Sequence, residues 1–465
     1  MPEFLNNLLN RLRGARGGDM RVLCHELLSQ RGEASQTLLA QRIIERYKHM
    51  GVDGHLGFFS MLAGDFVADA RAIEQALEEY RQAPEPEKLA QVAAAVESPR
   101  QELFRRINTG PGGTEMLVAM RSDLLRLLPR HPELKPVDSD LKHLFRSWFN
   151  RGFLRLERIG WHTSALTLEK LIQYESVHEI NGWQDLRRRL EADRRCFAFF
   201  QPALPGEPVI FVEVALTKGL AKNLEPLLDI HAPVLPADKA DTAIFYSINN
   251  CLEGLRGIPF GSFLIKQVVD ELSAELPRVD HYSTLSPLPR FAETLSSNEK
   301  GDAGFTRDRL SRLLNDFNTE LCREASLQDP VDAFFKLLED PVAHQKVLTP
   351  ALRRLVLVYL MQLHAGRRPL DPVAAFHFSN GARLESIDPF ANVRPYGLRE
   401  SYGVMVNYRY IPDELADNHE RFVSTGELAL SPALAHEQKI SAALWVGESE
   451  KPKLRNSGKA SPEAR

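Results

Sequence analysis

Apolar side chains recur every three or four residues through the first third of the chain, and this spacing predicts a series of amphipathic helices. The spacing is clear at 4–12 and again at 38–47. It is interrupted at 84–87 and at 109–113, where proline and glycine predict loops. A run of antiparallel helices with short connections is therefore the simplest architecture for this part of the chain.

After residue 147 the pattern changes to short runs of β-branched and aromatic residues, which are typical of strands. The predicted strands are 196–200, 209–216, 243–249, 279–285, 373–378 and 402–408. Pro205 and Gly206 lie between the first two and predict a hairpin turn. Helical spacing returns at 262–276 and 352–363, so the second part of the chain is predicted to be α+β.

The chain has 465 residues, enough for roughly three domain-sized units or two large ones. The change of pattern predicts a helical domain at 1–146, an α+β domain at 147–448 and a polar, frayed tail at 449–465. A charged fraction of 26% and a hydrophobic fraction of 43% exclude a wholly disordered or collagen-like chain. The net charge of −4 argues against a general nucleic-acid binder.

The four cysteines are far apart and form no C-x-x-C pair, so neither a metal site nor a disulfide framework is indicated. No apolar run reaches the roughly 18 residues of a membrane span. The first residues lack the basic and apolar regions of a secretory signal and are only mildly amphipathic. A cytoplasmic protein with free thiols is therefore expected, with the mitochondrial matrix as the alternative.

A glycine-containing loop at 254–261 joins a predicted strand to a predicted helix. Glycines let backbone N–H groups approach a ligand closely, and a helix N-terminus behind them favours an anion such as a pyrophosphate. However, the spacing of Gly254, Gly257 and Gly261 fits neither the dinucleotide nor the Walker A fingerprint. From the loop alone, a simple strand-to-helix connection is the stronger interpretation.

Four ordered blocks carry a family resemblance. They read FYSINNCLEGLRGIPFGSFLIKQVV at 245–269, YSTLSPLP at 282–289, FHFSNGA at 376–382 and GVMVNYRY at 403–410. In sequence, order and spacing these blocks resemble malonyl-CoA decarboxylases. Weaker matches at 156–162 and 194–197 extend the resemblance over roughly 145–412, while the first part of the chain agrees only in its helical character.

The resemblance implies an α+β protein with an N-terminal helical bundle, followed by a catalytic domain similar to acetyltransferases of the GNAT type. It implies conversion of malonyl-CoA to acetyl-CoA and CO2 without a metal or an organic cofactor. It also implies a homo-oligomer, a dimer or a tetramer, with no nucleic-acid or membrane partner. The residues that the family's CoA-binding loop matches here are Arg256, Gly257, Ile258, Pro259, Phe260, Gly261 and Ser262.

The family's catalytic serine matches Ser286 and its catalytic histidine matches His377. Loss of CO2 leaves an enolate that must be stabilised and protonated at C2. An imidazole near its ordinary pKa of ~6.5 suits proton delivery, and a hydroxyl can orient the departing carboxylate. Without the resemblance, His377 is better interpreted as a core histidine and Ser286 as a turn residue. Asn407 and Tyr410 are candidates for supporting the pair, although core packing explains them equally well.

Two other functions use the same features. An acyltransferase would pass the acyl group to an amine and would need a base and an acceptor cleft. A non-catalytic acyl-CoA sensor would signal through the helical domain and would tolerate loss of His377. The basic run at 187–189 and 194–195 could contact the 3′-phosphate of CoA, but a solvated helix face is the preferred interpretation.

Overall fold

The computed structural model describes residues 19–30, 32–258, 264–297, 304–366 and 368–446. The predicted helix at 4–12 and the predicted tail at 449–465 lie outside these residues. Within them, no helix is long and apolar enough to cross a membrane. All four cysteines are free thiols, as the sequence predicts.

Helices make up the first part of the chain, and the predicted breaks separate them. They are α1 (Met20–Ser29), α2 (Glu33–Lys48), α3 (Val52–Asp65), α4 (Ala70–Gln82), α5 (Pro86–Val96), α6 (Pro99–Asn108), α7 (Gly113–Leu127) and α8 (Lys135–Trp148). Proline begins α5 because its missing N–H costs nothing at a first helical position. Gly112 precedes α7 with a positive φ of 70°, a conformation that glycine adopts without strain.

The rest of the chain mixes strands and helices, which confirms the α+β prediction. The strands are β1 (Arg155–Ile159), β2 (Arg194–Phe200), β3 (Pro208–Thr217), β4 (Thr242–Asn250), β5 (His281–Thr284), β6 (Ser286–Pro287), β7 (His364–Ala365), β8 (Arg368–Pro369), β9 (Arg383–Asp388) and β10 (Met405–Tyr410). The helices are α9 (Ala165–Tyr174), α10 (Trp183–Arg189), α11 (Glu225–Leu228), α12 (Leu264–Glu275), α13 (Phe291–Ser296), α14 (Arg307–Leu314), α15 (Asn318–Ala325), α16 (Pro330–Leu337), α17 (Gln345–Gln362), α18 (Pro372–Ser379), α19 (Pro395–Ser401), α20 (Leu415–Thr425) and α21 (Pro432–Val446).

Eight strands form one sheet in the order β1-β2-β3-β4-β5-β10-β6, with β9 also paired to β10. The neighbouring β2 and β3 confirm the predicted hairpin, and Gly206 in their connection has a positive φ of 69°. β4 and β5 are parallel, whereas β10 is antiparallel to β5, β6 and β9. The sequence interpretation missed β9, whose apolar residues Leu384 and Ile387 do not alternate regularly.

Packing divides the chain into two compact units that are discontinuous in sequence. The first takes the chain up to Ile180, together with Phe197–Phe211 and Asn249–Leu264. The second takes Asn181–Cys196, Val212–Ile248 and the chain from Ile265 onwards. The predicted boundary at residue 147 stays a prediction.

Each unit has its own buried apolar residues. In the first unit, aromatic side chains of the helices, Phe59, Phe104 and Phe145 among them, are fully buried. In the second, Ile244 of β4, Leu285 and Met405 of β10 belong to one core cluster. The strands in the blocks at 245–269, 282–289 and 403–410 are thus held in place by burial of their apolar side chains in this cluster.

Two predictions are wrong in this part of the chain. The segment 373–378 is not a strand but lies within helix α18. Its apolar run was misread because periodicity cannot distinguish a short buried helix from a strand. Asp371 and Pro372 were the missed signals, since they form the N-cap and first position of the helix.

The basic run is not a solvated helix face. Arg188, Arg189, Arg194 and Arg195 are all buried, and only Arg187 is exposed. Their carboxylate partners are Asp193 for Arg188 and Arg194, Asp185 and Glu213 for Arg189, and Glu275 for Arg195. The prediction failed because burial of a guanidinium depends on paired carboxylates, two of which, Glu213 and Glu275, are far away along the chain.

Candidate active site

One face of the sheet collects hydroxyl groups from two of the matched blocks, 282–289 and 403–410. β10 runs antiparallel to both β5 and β6, with Tyr410 opposite Tyr282 and Val406 opposite Ser286. The same register sets Thr284 opposite Tyr408. Because opposed residues of an antiparallel pair point to the same face, Thr284, Ser286, Tyr408 and Tyr410 share one face.

Helix α18 brings His377 to this face. Asp371 begins the helix by accepting hydrogen bonds from the N–H groups of Val373 and Ala374, both at 2.9 Å. The helix ends in a Schellman motif, in which the N–H of Ala382 donates to the carbonyl of His377 at 3.1 Å. Gly381 has a positive φ of 79°, and a Cβ there would lie 2.1 Å from the Leu415 carbonyl oxygen. The Asn-Gly-Ala end of the motif therefore sets where His377 stands in the last turn.

The imidazole of His377 lies in a continuous chain of hydrogen bonds. Tyr410 donates its hydroxyl proton to Nδ1 at 2.7 Å, and Nε2 lies 3.0 Å from Ser286 Oγ. Ser286 in turn donates to Thr284 Oγ1 at 2.8 Å. Because the one proton of Ser286 goes to Thr284, its oxygen accepts from Nε2–H, which fixes the imidazole tautomer. We call Thr284, Ser286, His377 and Tyr410 the Ser286–His377 network.

Thr284 also completes the sheet at this point. Its Oγ1 accepts the backbone N–H of Tyr408 at 3.1 Å, beside Leu285, which separates β5 from β6. The side-chain oxygen replaces a ladder acceptor where the two short strands are interrupted. Thr284 thereby ties the orientation of Ser286 to the backbone of β10.

The network is dry and uncharged. His377 is 2% exposed, and burial lowers its pKa to about 3, so the imidazole is neutral at pH 7. The expectation of an imidazole near its ordinary pKa is therefore wrong. Burial also raises the pKa of Tyr410, which stays protonated and able to donate to Nδ1. Tyr408 stacks on the imidazole, with ring centroids 4.5 Å apart and planes at 22°.

The two candidate supporting residues have different surroundings. Tyr410 contacts His377 directly, as described above. Asn407 alternates with Tyr408 and faces the other side of the sheet, where its amide donates to Asp388 at 2.8 Å and to the Ala221 carbonyl at 3.2 Å. It therefore has no part in the hydrogen bonds of His377, and its contacts are those of a buried structural amide.

The predicted CoA-binding loop is described only in its first three residues. A single 3₁₀ turn, Glu253–Leu255, leads into Arg256, whose side chain is exposed. Gly257 follows with a positive φ of 75°, and Ile258 is buried. Pro259, Phe260, Gly261 and Ser262 lie outside the described residues.

Sequence reasoning missed two members of the site, Thr284 and Tyr408. Both lie inside matched blocks, two residues before Ser286 and two before Tyr410. The period of two along a strand could have singled them out, since such neighbours share a face. Among the described residues, no group of three or more His, Cys, Asp or Glu side chains could hold a metal ion.

Comparison with known proteins gives one consistent family. The models of the malonyl-CoA decarboxylase C-terminal and N-terminal domains match residues 152–447 and 66–149. The mitochondrial malonyl-CoA decarboxylase of Anser anser anser is 35% identical over 395 residues, which are 80% of this chain and 77% of that protein. The crystal structures of malonyl-CoA decarboxylase from Rhodopseudomonas palustris and Agrobacterium vitis are each 42% identical, with a TM-score of 0.80. Each match covers 90% of this chain, and the matches cover 98% and 99% of the two crystal structures, respectively. The chain therefore belongs to the malonyl-CoA decarboxylase family.

Proposed function

We propose that this protein converts malonyl-CoA to acetyl-CoA and CO2, and that the Ser286–His377 network carries out the reaction. The observation that carries the assignment of the site is the 3.0 Å contact between Ser286 Oγ and His377 Nε2. Both side chains are buried, and His377 is the only histidine in the four ordered blocks of the sequence. The network is thus a hydroxyl and an imidazole in a low-dielectric site, coupled to one another.

The substrate is held at two ends. The loop that begins at Arg256 receives the nucleotide end, where the exposed, positively charged side chain of Arg256 favours phosphate. On binding, the hydroxyl proton of Ser286 turns from Thr284 Oγ1 to the malonyl carboxylate and holds it by a hydrogen bond. Holding the carboxylate fixes the C–C bond perpendicular to the thioester plane, so that the departing electron pair overlaps the carbonyl π-system.

Binding also changes the charge of His377. The buried imidazole is neutral in the free protein because no counter-ion compensates the loss of hydration. A malonyl carboxylate at Ser286 supplies that counter-ion and raises the pKa of the imidazole. One proton is therefore taken up together with the substrate, and carboxylate and imidazolium neutralise each other.

Cleavage then moves the negative charge onto the thioester. The electron pair of the C–C bond passes into the thioester carbonyl, which becomes an enolate oxygen, and neutral CO2 leaves. The imidazolium has lost its carboxylate partner and is again a strong acid in its buried site. Its Nε2 proton passes to Ser286 Oγ while the serine hydroxyl protonates C2. The imidazole is neutral again with its remaining proton on Nδ1, and a change of tautomer restores the Nε2–H form of the free protein. One C–H bond replaces the broken C–C bond.

Tyr410 has a supporting role in these steps. Its hydroxyl accepts the new Nδ1–H of the imidazolium through a lone pair and donates to Nδ1 when the ring is neutral. The same 2.7 Å contact therefore serves both protonation states. The stacked ring of Tyr408 adds an electron-rich face beside the charged imidazole.

The test is direct. Purified protein is mixed with malonyl-CoA alone, in the presence of EDTA, and CO2 and acetyl-CoA are measured in equal amounts. Decarboxylation without an added amine supports the proposal. Consumption of malonyl-CoA only in the presence of an amine, with formation of an amide, would instead identify an acyltransferase. The cofactor-free reaction, the homo-oligomer and the cytoplasmic location stay predictions.

A further inference from the structure

Helix α7 of the helical region reaches the start of the CoA-binding loop at three residues, Glu253, Gly254 and Arg256. All of these residues belong to the first compact unit. We call Glu253–Ile258 the loop start. We propose that Arg121 of α7 is a positioning residue for substrate, which holds the loop start in the conformation that binds CoA. This inference rests on the proposed function of the loop.

Arg121 is fully buried and uses its guanidinium on the backbone of the loop start. Nη1 donates to the carbonyl oxygen of Gly254 at 2.5 Å and to that of Arg256 at 3.0 Å. The two carbonyls flank Leu255, so one group holds the middle of the turn Glu253–Leu255 and the residue that follows it. The rigid geometry of a guanidinium suits it to this task better than a flexible ammonium group.

The charge of Arg121 is balanced within the helical region. Asp138 of α8 accepts from Nε at 2.8 Å, and Lys142 lies 2.7 Å from the other carboxylate oxygen. Removing a guanidinium from water is costly unless its hydrogen bonds and charge are satisfied. Asp138 supplies the charge and the two carbonyls of the loop start accept from Nη1, whereas Nη2 has no hydrogen-bond partner among the described residues. The Arg121–Asp138 pair therefore links α7 to α8 and also binds the backbone carbonyls of the loop start.

Two further contacts from α7 act on the same residues. A Cβ on Gly254 would lie 1.9 Å from the carbonyl oxygen of Val118, so only glycine permits this approach of helix and turn. Arg126, one turn beyond Arg121, pairs with Glu253 at 2.9 Å. The loop start is thus held by the helix at its backbone and at one side chain.

The consequence for function is preorganisation. The N–H of Gly257 lies in the same planar peptide unit as the Arg256 carbonyl, so holding that carbonyl also sets the orientation of the N–H. Gly257 itself has a positive φ of 75°. A loop that is ordered before CoA arrives does not lose this conformational entropy on binding. Loss of the Arg121 contacts should therefore weaken binding of the nucleotide end and leave the chemistry of the bound thioester unchanged.

The primary test is Arg121→Lys, which keeps a cation beside Asp138 and removes the guanidinium. We expect Kd for CoA and KM for malonyl-CoA to rise about tenfold, with kcat at saturation within about twofold. Arg106→Lys is the matched control, because Nη1 of Arg106 similarly donates to the carbonyls of Leu27, Leu28 and Gln30, away from the loop. Its Kd and KM should stay unchanged.

A truncated substrate separates positioning from general damage. The malonyl thioester of N-acetylcysteamine lacks the nucleotide, so Arg121→Lys should leave its kcat/KM unchanged while lowering kcat/KM for malonyl-CoA. Equal losses with both thioesters, or a Kd for CoA equal to that of the unaltered protein, would overturn the inference. If the unaltered protein releases no CO2 from malonyl-CoA, the proposed function itself fails.

Hydrogen exchange on the unaltered protein gives a measurement that needs no variant. If α7 holds the loop start, CoA should slow exchange in peptides covering 118–127 together with those covering 250–258. Protection of 250–258 without any change at 118–127 would contradict the inference. This result stands even if Arg121→Lys does not fold.

Discussion

The Ser286–His377 network is built mainly from polar side chains, whereas the loop start is held mainly through its backbone carbonyls. In the network, four buried side chains satisfy one another, and the backbone serves only to align them. In the loop start, Arg121 donates hydrogen bonds to the carbonyls of Gly254 and Arg256, while the side chain of Arg256 is exposed. A substitution in the network should therefore reduce turnover, whereas one in the loop start should reduce affinity.

The contrast also concerns charge. The network is neutral because burial excludes an imidazolium without a counter-ion. Arg121 is equally buried but has a permanent carboxylate partner in Asp138. The charge of the imidazole therefore depends on whether a carboxylate substrate is bound, whereas the guanidinium that holds the loop start keeps its charge throughout. The four predictions below test this division, from the largest expected effect to the smallest.

Replacing the imidazole should have the largest effect. We expect His377→Asn to lower kcat by about 10³-fold or more, because no other group of the network can carry the proton to C2. Binding of CoA, measured by calorimetry, should change little. His178→Asn, at another buried histidine, is the control. Near-native turnover in His377→Asn would remove the proton-transfer role of this residue.

The hydroxyl of Ser286 comes next. Ser286→Ala should lower kcat about 10²-fold, since the carboxylate loses its orienting donor and C2 its immediate proton source. Ser283→Ala is a matched control in the adjacent strand β5 on the other face of the sheet, where the hydroxyl donates to Asn407 and to the Tyr408 carbonyl. If both variants lost turnover equally, disruption of the strand would explain the effect.

Acid stability reports the neutral state of His377. The pKa is about 3 in the folded protein and close to ~6.5 when the chain unfolds, so the unfolded chain binds more protons between these values. The stability contributed by this residue is complete above pH ~6.5 and is lost as the pH falls towards 3. Between pH ~7 and ~4.5 the unaltered protein should lose about 2 kcal/mol more than His377→Asn, measured by urea unfolding. Identical losses would show that the imidazole is not neutral because of burial.

Gly257→Ala should have the smallest effect. A Cβ at this position meets no atom within 4 Å, so the cost is the left-handed backbone alone, about 1 kcal/mol. The loop start should shift away from its held conformation, and KM for malonyl-CoA should rise about fivefold at unchanged kcat. Gly182→Ala has the same open surroundings at a φ of 81° and should lose only stability. A lower kcat in Gly257→Ala would contradict the division between the two regions.

Much of the fold could be predicted from local pattern. β2, β3 and β4 were recognisable because buried central strands are continuous runs of β-branched and aromatic residues. The failures both concern burial. The segment at 373–378 is a partly buried helix, and the arginines at 188–195 are buried in ion pairs with nearby carboxylates, as Asp193 for Arg188, and distant ones, as Glu213 for Arg189.

The candidate site shows the same limit. Ser286, His377 and Tyr410 were found because they lie in blocks with a family resemblance, and the sequence by itself determined which residue types are available. Only the tertiary structure decided that Asn407 faces away from the imidazole, that Thr284 and Tyr408 complete its surroundings, and that the imidazole is neutral. The pKa of a side chain depends on the water and charges around it, and these are supplied by residues far away along the chain.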